Sequence, residues 1–261
     1  MIPVLARFGP VTLYSYGLLL AVAFFTASWQ AQRAARNWPD SPAPIAPGQI
    51  MNACTATLLG GLFGARLLFI FANADVFRLY PLEAFAIWHG GLIWYGGFAG
   101  GLAAFTWYLG RHGIPWMRAM DQIIPSVALG HAIGRIGCFL NGCCYGKPTT
   151  AWWGVAFPGH IDRVIPTQLI ESAGLFLYFL GLRRLQRVAV LQRPGTVFWA
   201  YALAYGILRF LVEFARGDQQ VFVGELTLPQ AISAAFALLA LVALIVLRGH
   251  ASPVPLRRRS R

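Results

Sequence analysis

Charge is what this chain of 261 residues is short of. Asp, Glu, Lys and Arg make up 11% of it, where a soluble domain carries about a quarter. With 57% hydrophobic residues and a mean hydropathy of +0.59, the shortage excludes an ordinary water-soluble fold. Acidic groups are the scarcest: nine Asp and Glu stand against 21 Lys and Arg, a net charge of +12. In a soluble protein that excess would suggest nucleic acid. In an apolar chain it fits arginines that anchor cytoplasmic loops and meet anionic membrane lipids, so no nucleic-acid partner is expected. Internal repeats and low-complexity stretches are missing too. So is a cleavable leader: "MIPVLARFGP" has no charged start running into an apolar core and a small-residue cleavage site. The first hydrophobic segment is therefore expected to insert and stay.

What the chain does have is long apolar stretches, and about 20 such residues cover the hydrocarbon as a helix. Seven are present: 13–31, 50–72, 90–109, 123–141, 166–182, 196–215 and 229–247. The Pro-rich segment 37–49 reads as a loop and not as a domain boundary, and 251–261 as a basic, disordered tail at the lipid surface. The expectation is an all-α, polytopic membrane protein of about seven transmembrane helices, one integral membrane domain over 1–261. Lys and Arg fall unevenly on the alternate loops, 13 on the side of the C-terminus and five on the other. The positive-inside rule then places the N-terminus outside and the C-terminus in the cytoplasm.

Three arginines remain inside the apolar stretches: Arg66, Arg135 and Arg209. Each falls in the later part of a segment running outward, so all three belong in the outer half of the membrane. One mid-bilayer arginine costs about 2.5–3.5 kcal/mol on insertion scales; three at one depth point to a shared anionic ligand. The plain alternative is that each snorkels outward or pairs with a carboxylate. Arg209, Glu213 and Arg216 share one helical face, where Glu213 can hold both arginines and leave guanidinium donors for a phosphate. Arg135, Cys138 and Asn141 are spaced by three, with His131 one turn earlier, and "IPTQLIES" sets Gln168 and Glu171 one turn apart. Tyr16 stands near the outer end of the first stretch, where an interfacial belt alone would account for it. The glycines of "HGGLIWYGGFAGG" (89–101) suggest irregular backbone lining a cavity, with Tyr95 as the polar group among them. Cys138, Cys143 and Cys144 have neither a CxxC pair nor a histidine at zinc-site spacing, so no metal and no cofactor is expected. Cys54 reads as a small buried residue.

In their order and spacing, "YSYGLLLA", "GARLLF", "GGLIWYGG", "GRIGCFLNGCCYG", "PTQLIES" and "LRFLVEFARGD" resemble the bacterial prolipoprotein diacylglyceryl transferases over nearly the whole chain. The resemblance implies an inner-membrane enzyme whose site faces the outer leaflet. It implies transfer of the diacylglyceryl group of phosphatidylglycerol to the lipobox cysteine thiol of a prolipoprotein, with release of glycerol phosphate. It matches Arg135 and Arg209 to the family's essential arginines, and Tyr16, Arg66, Asn141, Gly146, Glu213 and Arg216 to positions the family uses. The sequence departs from the family at four places: Tyr95 and Ile165 stand where histidines are common, and Cys138 and Cys143 where Asn and Glu are. His89 is a poor replacement base, so Tyr95 is left as the proton relay beside an arginine clamp of Arg135 and Arg209. Two rival readings use the same arginines without chemistry: a phospholipid transporter or scramblase, and a non-catalytic paralogue that binds lipid.

Overall fold

The computed structural model describes residues 4–8, 11–38, 43–86, 90–157, 161–188, 193–217, 221–223 and 226–249; His89 and the tail 251–261 lie outside the described residues. Its burial pattern is inverted relative to a soluble protein. Arg66, Gln122, Gln168, Glu171, Glu213 and Gln230 are buried, while Phe63, Phe71, Leu177, Leu238 and Ile245 are exposed. Water would not tolerate so much open apolar surface, and hydrocarbon demands it.

Helices stand on all seven apolar stretches: α1 (Ser15–Arg36), α2 (Pro47–Ala72), α4 (Trp94–Arg111), α5 (Trp116–Asn141), α6 (Thr167–Leu185), α7 (Thr196–Ala215) and α8 (Leu228–Gly249), with a short α3 (Ala74–Leu79) after α2. Four of them, α2, α5, α7 and α8, are long and apolar enough to cross a membrane. The protein is thus an all-α membrane protein with several membrane-crossing helices. Among the described residues, three small antiparallel ribbons accompany the helices: β1 (Val4–Phe8) with β2 (Val11–Tyr14), β3 (Val155–Ala156) with β4 (Arg163–Val164), and β5 (Val221–Val223) with β6 (Leu226–Thr227).

The chain divides into two compact units, one of residues 28–123 and one of 1–27 with 124–261. In the 28–123 unit, α2 and α4 are packed backbone to backbone. A Cβ built on Gly64 would lie 2.3 Å from the Gly96 carbonyl oxygen, and one on Gly100 would lie 2.3 Å from that of Gly60. Small residues four apart on both helices remove the side-chain layer and let dispersion hold the pair. The glycines of 96–101, expected to line irregular backbone, are therefore regular helix, and their smallness serves packing. Among the described residues, Gly90 and Gly91 sit at φ of +83° and +79° and Ile93 is extended, so the backbone turns helical only at Trp94.

In the other unit, α5 lies against α1, where a Gly137 Cβ would meet Leu19 at 3.2 Å and the Tyr16 ring at 3.4 Å. Ser172 of α6 donates to the Ala132 carbonyl of α5 at 2.8 Å, and Gly206 of α7 packs on Ser233 and Ala237 of α8. With Gly174 of α6 packed on Leu208 of α7, α5, α6 and α7 come together around the buried charges.

Candidate active site

α5 ends in "CFLNGC", and its end sets the geometry of the site. Gly142 sits at φ +79°, its N–H donates to the Phe139 carbonyl, and the Cys143 N–H donates to that of Cys138. This is the Schellman pair of bonds, which closes a helix on a left-handed residue and turns the chain back over its own last turn. Cys144 follows at φ +63°, unusual for a residue with a side chain. The reversed segment is fastened from α6, where Thr167 Oγ1 donates to the Cys144 carbonyl at 2.8 Å and Gln168 Nε2 to that of Cys143 at 2.6 Å. Gly146 then pairs with Ile165 and, as a bridge, with Arg216. So "NGCCYG", "IPTQL" and the end of α7 form one backbone assembly.

The sulfur atoms of Cys138, Cys143 and Cys144 come within 4.8 Å of one another in this fold. The Cys144 thiol is held below the usual thiol range, first by the hydrogen bond from Cys138 and further by the nearby Arg216. Asn141 shares a hydrogen bond with Cys143.

One turn before Cys138, Arg135 points into the same unit's interior with its side chain 15% exposed. One of its terminal nitrogens (Nη2) donates to Glu171 Oε1 of α6 at 2.7 Å, and Glu171 is 2% exposed. Tyr205 of α7 donates to that same oxygen at 3.1 Å and shares a hydrogen bond with Arg135. His131 completes the group, its Nε2 4.0 Å from Glu171 and its Nδ1 3.4 Å from the Tyr201 hydroxyl. Among the described residues, the buried Nε of Arg135 has no hydrogen-bond partner, an arrangement that costs free energy unless a ligand fills it.

Arg209 lies one turn beyond Tyr205 on α7. Its Nη1 approaches Glu213 Oε2 to 2.5 Å, as a charge contact without hydrogen-bond alignment. Glu213 also accepts from Thr227 Oγ1 at 2.9 Å and stands 3.8 Å from Arg216 Nε. Arg209 and Glu213 share a face of α7 as the spacing anticipated, whereas Arg216 is extended backbone just past the helix end and still reaches Glu213, which stands between the two arginines. Tyr16 stays exposed, with one edge of its ring against Gly137 of α5.

Arg66 and Tyr95 belong to the 28–123 unit. Arg66 is buried, and its guanidinium donates to the carbonyls of Glu83, Ala84, Ala86, Gly90 and Gly91, with Phe69 and Phe77 rings at 5.5 and 5.4 Å. Five N–H donors meet five acceptors, so Arg66 holds a backbone segment instead of offering free donors. Tyr95 is exposed on the first turn of α4, its ring edge-on to Trp94.

Residues 3–246 match the sequence profile of the prolipoprotein diacylglyceryl transferases. The chain belongs to that family. Among similar proteins are the phosphatidylglycerol–prolipoprotein diacylglyceryl transferases of Vibrio vulnificus strain YJ016, 34% identical over 95% of this chain and 93% of that one, and of Geobacter sulfurreducens, 32% identical over 96% and 97%. The Ruegeria pomeroyi protein of the same name is 34% identical over 78% of this chain and 75% of its own. In this transferase-family chain, Glu171, Tyr201 and Tyr205 are the polar neighbours of Arg135 to which sequence spacing assigned no such part. They come from helices 36 or more residues away, with no local pattern joining them.

Proposed function

We propose that this chain transfers the diacylglyceryl group of phosphatidylglycerol to the lipobox cysteine thiol of a prolipoprotein and releases glycerol phosphate, a step of bacterial lipoprotein biogenesis. It is a multi-pass bacterial membrane protein. Seven crossings, with the N-terminus outside and the C-terminus in the cytoplasm, accord with the arginines that close α1, α4, α6 and α8 and with the absence of basic residues from the last turns of α2, α5 and α7. That orientation makes 1–261 one integral inner-membrane domain and puts the ends of α5 and α7, with Arg135 and Arg209, toward the outer leaflet.

The observation that carries the reading is the state of Arg135. Its guanidinium is tied to Glu171 through one nitrogen, its buried Nε is unpartnered among the described residues, and Tyr205 links it to the helix face that carries Arg209. Two such forks in a low-dielectric setting suit a phosphodiester, which each can grip in bidentate fashion. In the reaction the lipobox thiolate attacks the glyceryl carbon that bears the phosphate. A carbon–sulfur bond forms, the carbon–oxygen bond breaks, and its electron pair goes to the phosphate oxygen. The phosphate gains negative charge as it leaves, so Arg135 and Arg209 hold the transition state more strongly than the ground state. Glu171 and Glu213 keep the guanidinium planes in place, and Arg216, Asn141 and Tyr16 shape the remaining contacts to the lipid. For Arg66 and Tyr95 the assignment rests on motif position. By that position alone the reading gives Arg66 a part in lipid binding and Tyr95 a part in handling the thiol proton.

Purified protein, phosphatidylglycerol and a lipobox peptide, followed by mass spectrometry, test the proposal. The peptide gains the diacylglyceryl mass with the native chain and not with Arg135→Ala or Arg209→Ala, while both variants still insert. Lipid exchange across vesicles without added mass would mean a scramblase; lipid binding alone would mean a silent paralogue.

A further inference from the structure

The three sulfur atoms gathered by the reversed end of α5 have no task in the scheme above, although Cys138 lies three residues from Arg135. We propose that Cys138, Cys143 and Cys144 bind a zinc ion through three thiolates and leave its fourth position to the thiol of the incoming peptide. The inference rests on the transferase reading and supplies its thiolate.

Thiolates are the ligands zinc favours. A catalytic zinc site keeps three protein ligands and one open position, whereas a structural site closes all four. Among the described residues this cluster holds three sulfurs and no fourth histidine, cysteine or carboxylate ligand. Sulfurs on one zinc ion stand about 3.8 Å apart, given a Zn–S distance of about 2.3 Å and tetrahedral angles. From separations of at most 4.8 Å, the three need to close by about 1 Å or less to reach it.

The frame around them is built for that. Cys138 is fixed on the helix, the Schellman turn brings Cys143 back, and Thr167 and Gln168 hold the carbonyls of Cys144 and Cys143. These bonds fix the backbone from which the Cys143 and Cys144 side chains project. Arg135, one turn away, and Arg216 supply positive charge next to what would be an anionic zinc–thiolate group.

The chemistry matches the need. A thiol that coordinates zinc loses its proton outright, so the ion does the work of a base where this chain has Tyr95 and Ile165 in place of histidines. The peptide thiol binds zinc and releases one proton to water. The zinc-bound sulfur then forms the bond to the glyceryl carbon while the carbon–oxygen bond to phosphate breaks, and glycerol phosphate departs with the electron pair. The thioether product is a weak ligand and leaves. No oxidant or reductant is involved.

The full chain, purified in detergent, is assayed for metal without turnover. The native protein and a Cys54→Ser control carry about one zinc per chain; Cys138→Ser, Cys143→Ser and Cys144→Ser lose it. With cobalt in place of zinc, a cysteine lipobox peptide shifts the visible cobalt bands and a serine peptide does not. If a serine variant fails to fold, chelation of the native chain gives the second readout: transfer stops and returns with added zinc. A metal-free native chain, zinc retained in the variants, a disulfide among the three cysteines, or full transfer after chelation each overturns the zinc site alone. A zinc-loaded chain with peptide-shifted cobalt bands that never adds lipid mass keeps the thiol site and removes the transferase reading.

Discussion

Glu171→Gln removes one charge from the most enclosed part of the arginine cluster and keeps the shape of the side chain. In the native site one carboxylate oxygen accepts from Arg135 at 2.7 Å and from Tyr205 at 3.1 Å. Glutamine can offer its carbonyl oxygen to both, so the hydrogen bonds survive and the charge assistance goes, a loss of about 1.5–3 kcal/mol. Should the amide nitrogen face Arg135 instead, the cation is left without a counter-charge and the cost rises toward about 3–5 kcal/mol. If the lower range falls on the transition state through a misplaced guanidinium, transfer slows roughly 10- to 160-fold. The assay is the initial rate at which a lipobox peptide gains mass at saturating phosphatidylglycerol, with thermal unfolding beside it. Because Arg135 and Glu171 act as a unit, Arg135→Ala combined with Glu171→Gln should be no slower than Arg135→Ala alone. A Glu171→Gln enzyme within about twofold of the native rate, or a double variant whose two losses simply add, refutes the idea that Glu171 works through Arg135.

Gly146→Ala should lower the thermal midpoint and abolish or cripple transfer. The new methyl would sit 2.6 Å from the Ala215 carbonyl oxygen and 2.7 Å from Ile165 Cβ, an overpacking that costs about 1–3 kcal/mol. Gly100→Val drives a side chain into the Gly60 carbonyl at 2.3 Å and should separate α2 from α4, seen as a lost folded fraction on size exclusion in detergent. Tyr95→Phe is expected to lower turnover by about 100-fold with a changed pH profile, the contribution of a proton relay; an unchanged profile removes that hydroxyl from the reaction.

The helices were legible because an apolar run of about 20 residues is the strongest signal a sequence offers, and the arginines at alternate ends sharpened it. The pairing of Arg209 with Glu213 was legible for a related reason, since helical spacing is local, while Arg216 reaches Glu213 from just beyond the helix end. The glycines of α4 misled because their partner is absent from the local sequence. A glycine that loosens a backbone and one that packs against Gly60 or Gly64 look alike until the second helix is in place. Glu171 was noted for its helix but not as the partner of Arg135, since 36 residues and a whole turn of chain separate them. The sulfur cluster was hidden by the same kind of reversal. Five residues from Cys138 along a straight helix would put Cys143 about 7.5 Å further up the axis, and only the left-handed step at Gly142 folds that distance away.

Arg66 has a consequence for motion. Its guanidinium joins α2 to the carbonyls of Glu83, Ala84, Ala86, Gly90 and Gly91, and moving Arg66 would strip all five acceptors of their donor at once. Those five carbonyls are therefore coupled to α2 through a single side chain, and a shift of the helix at Arg66 is carried to all of them together.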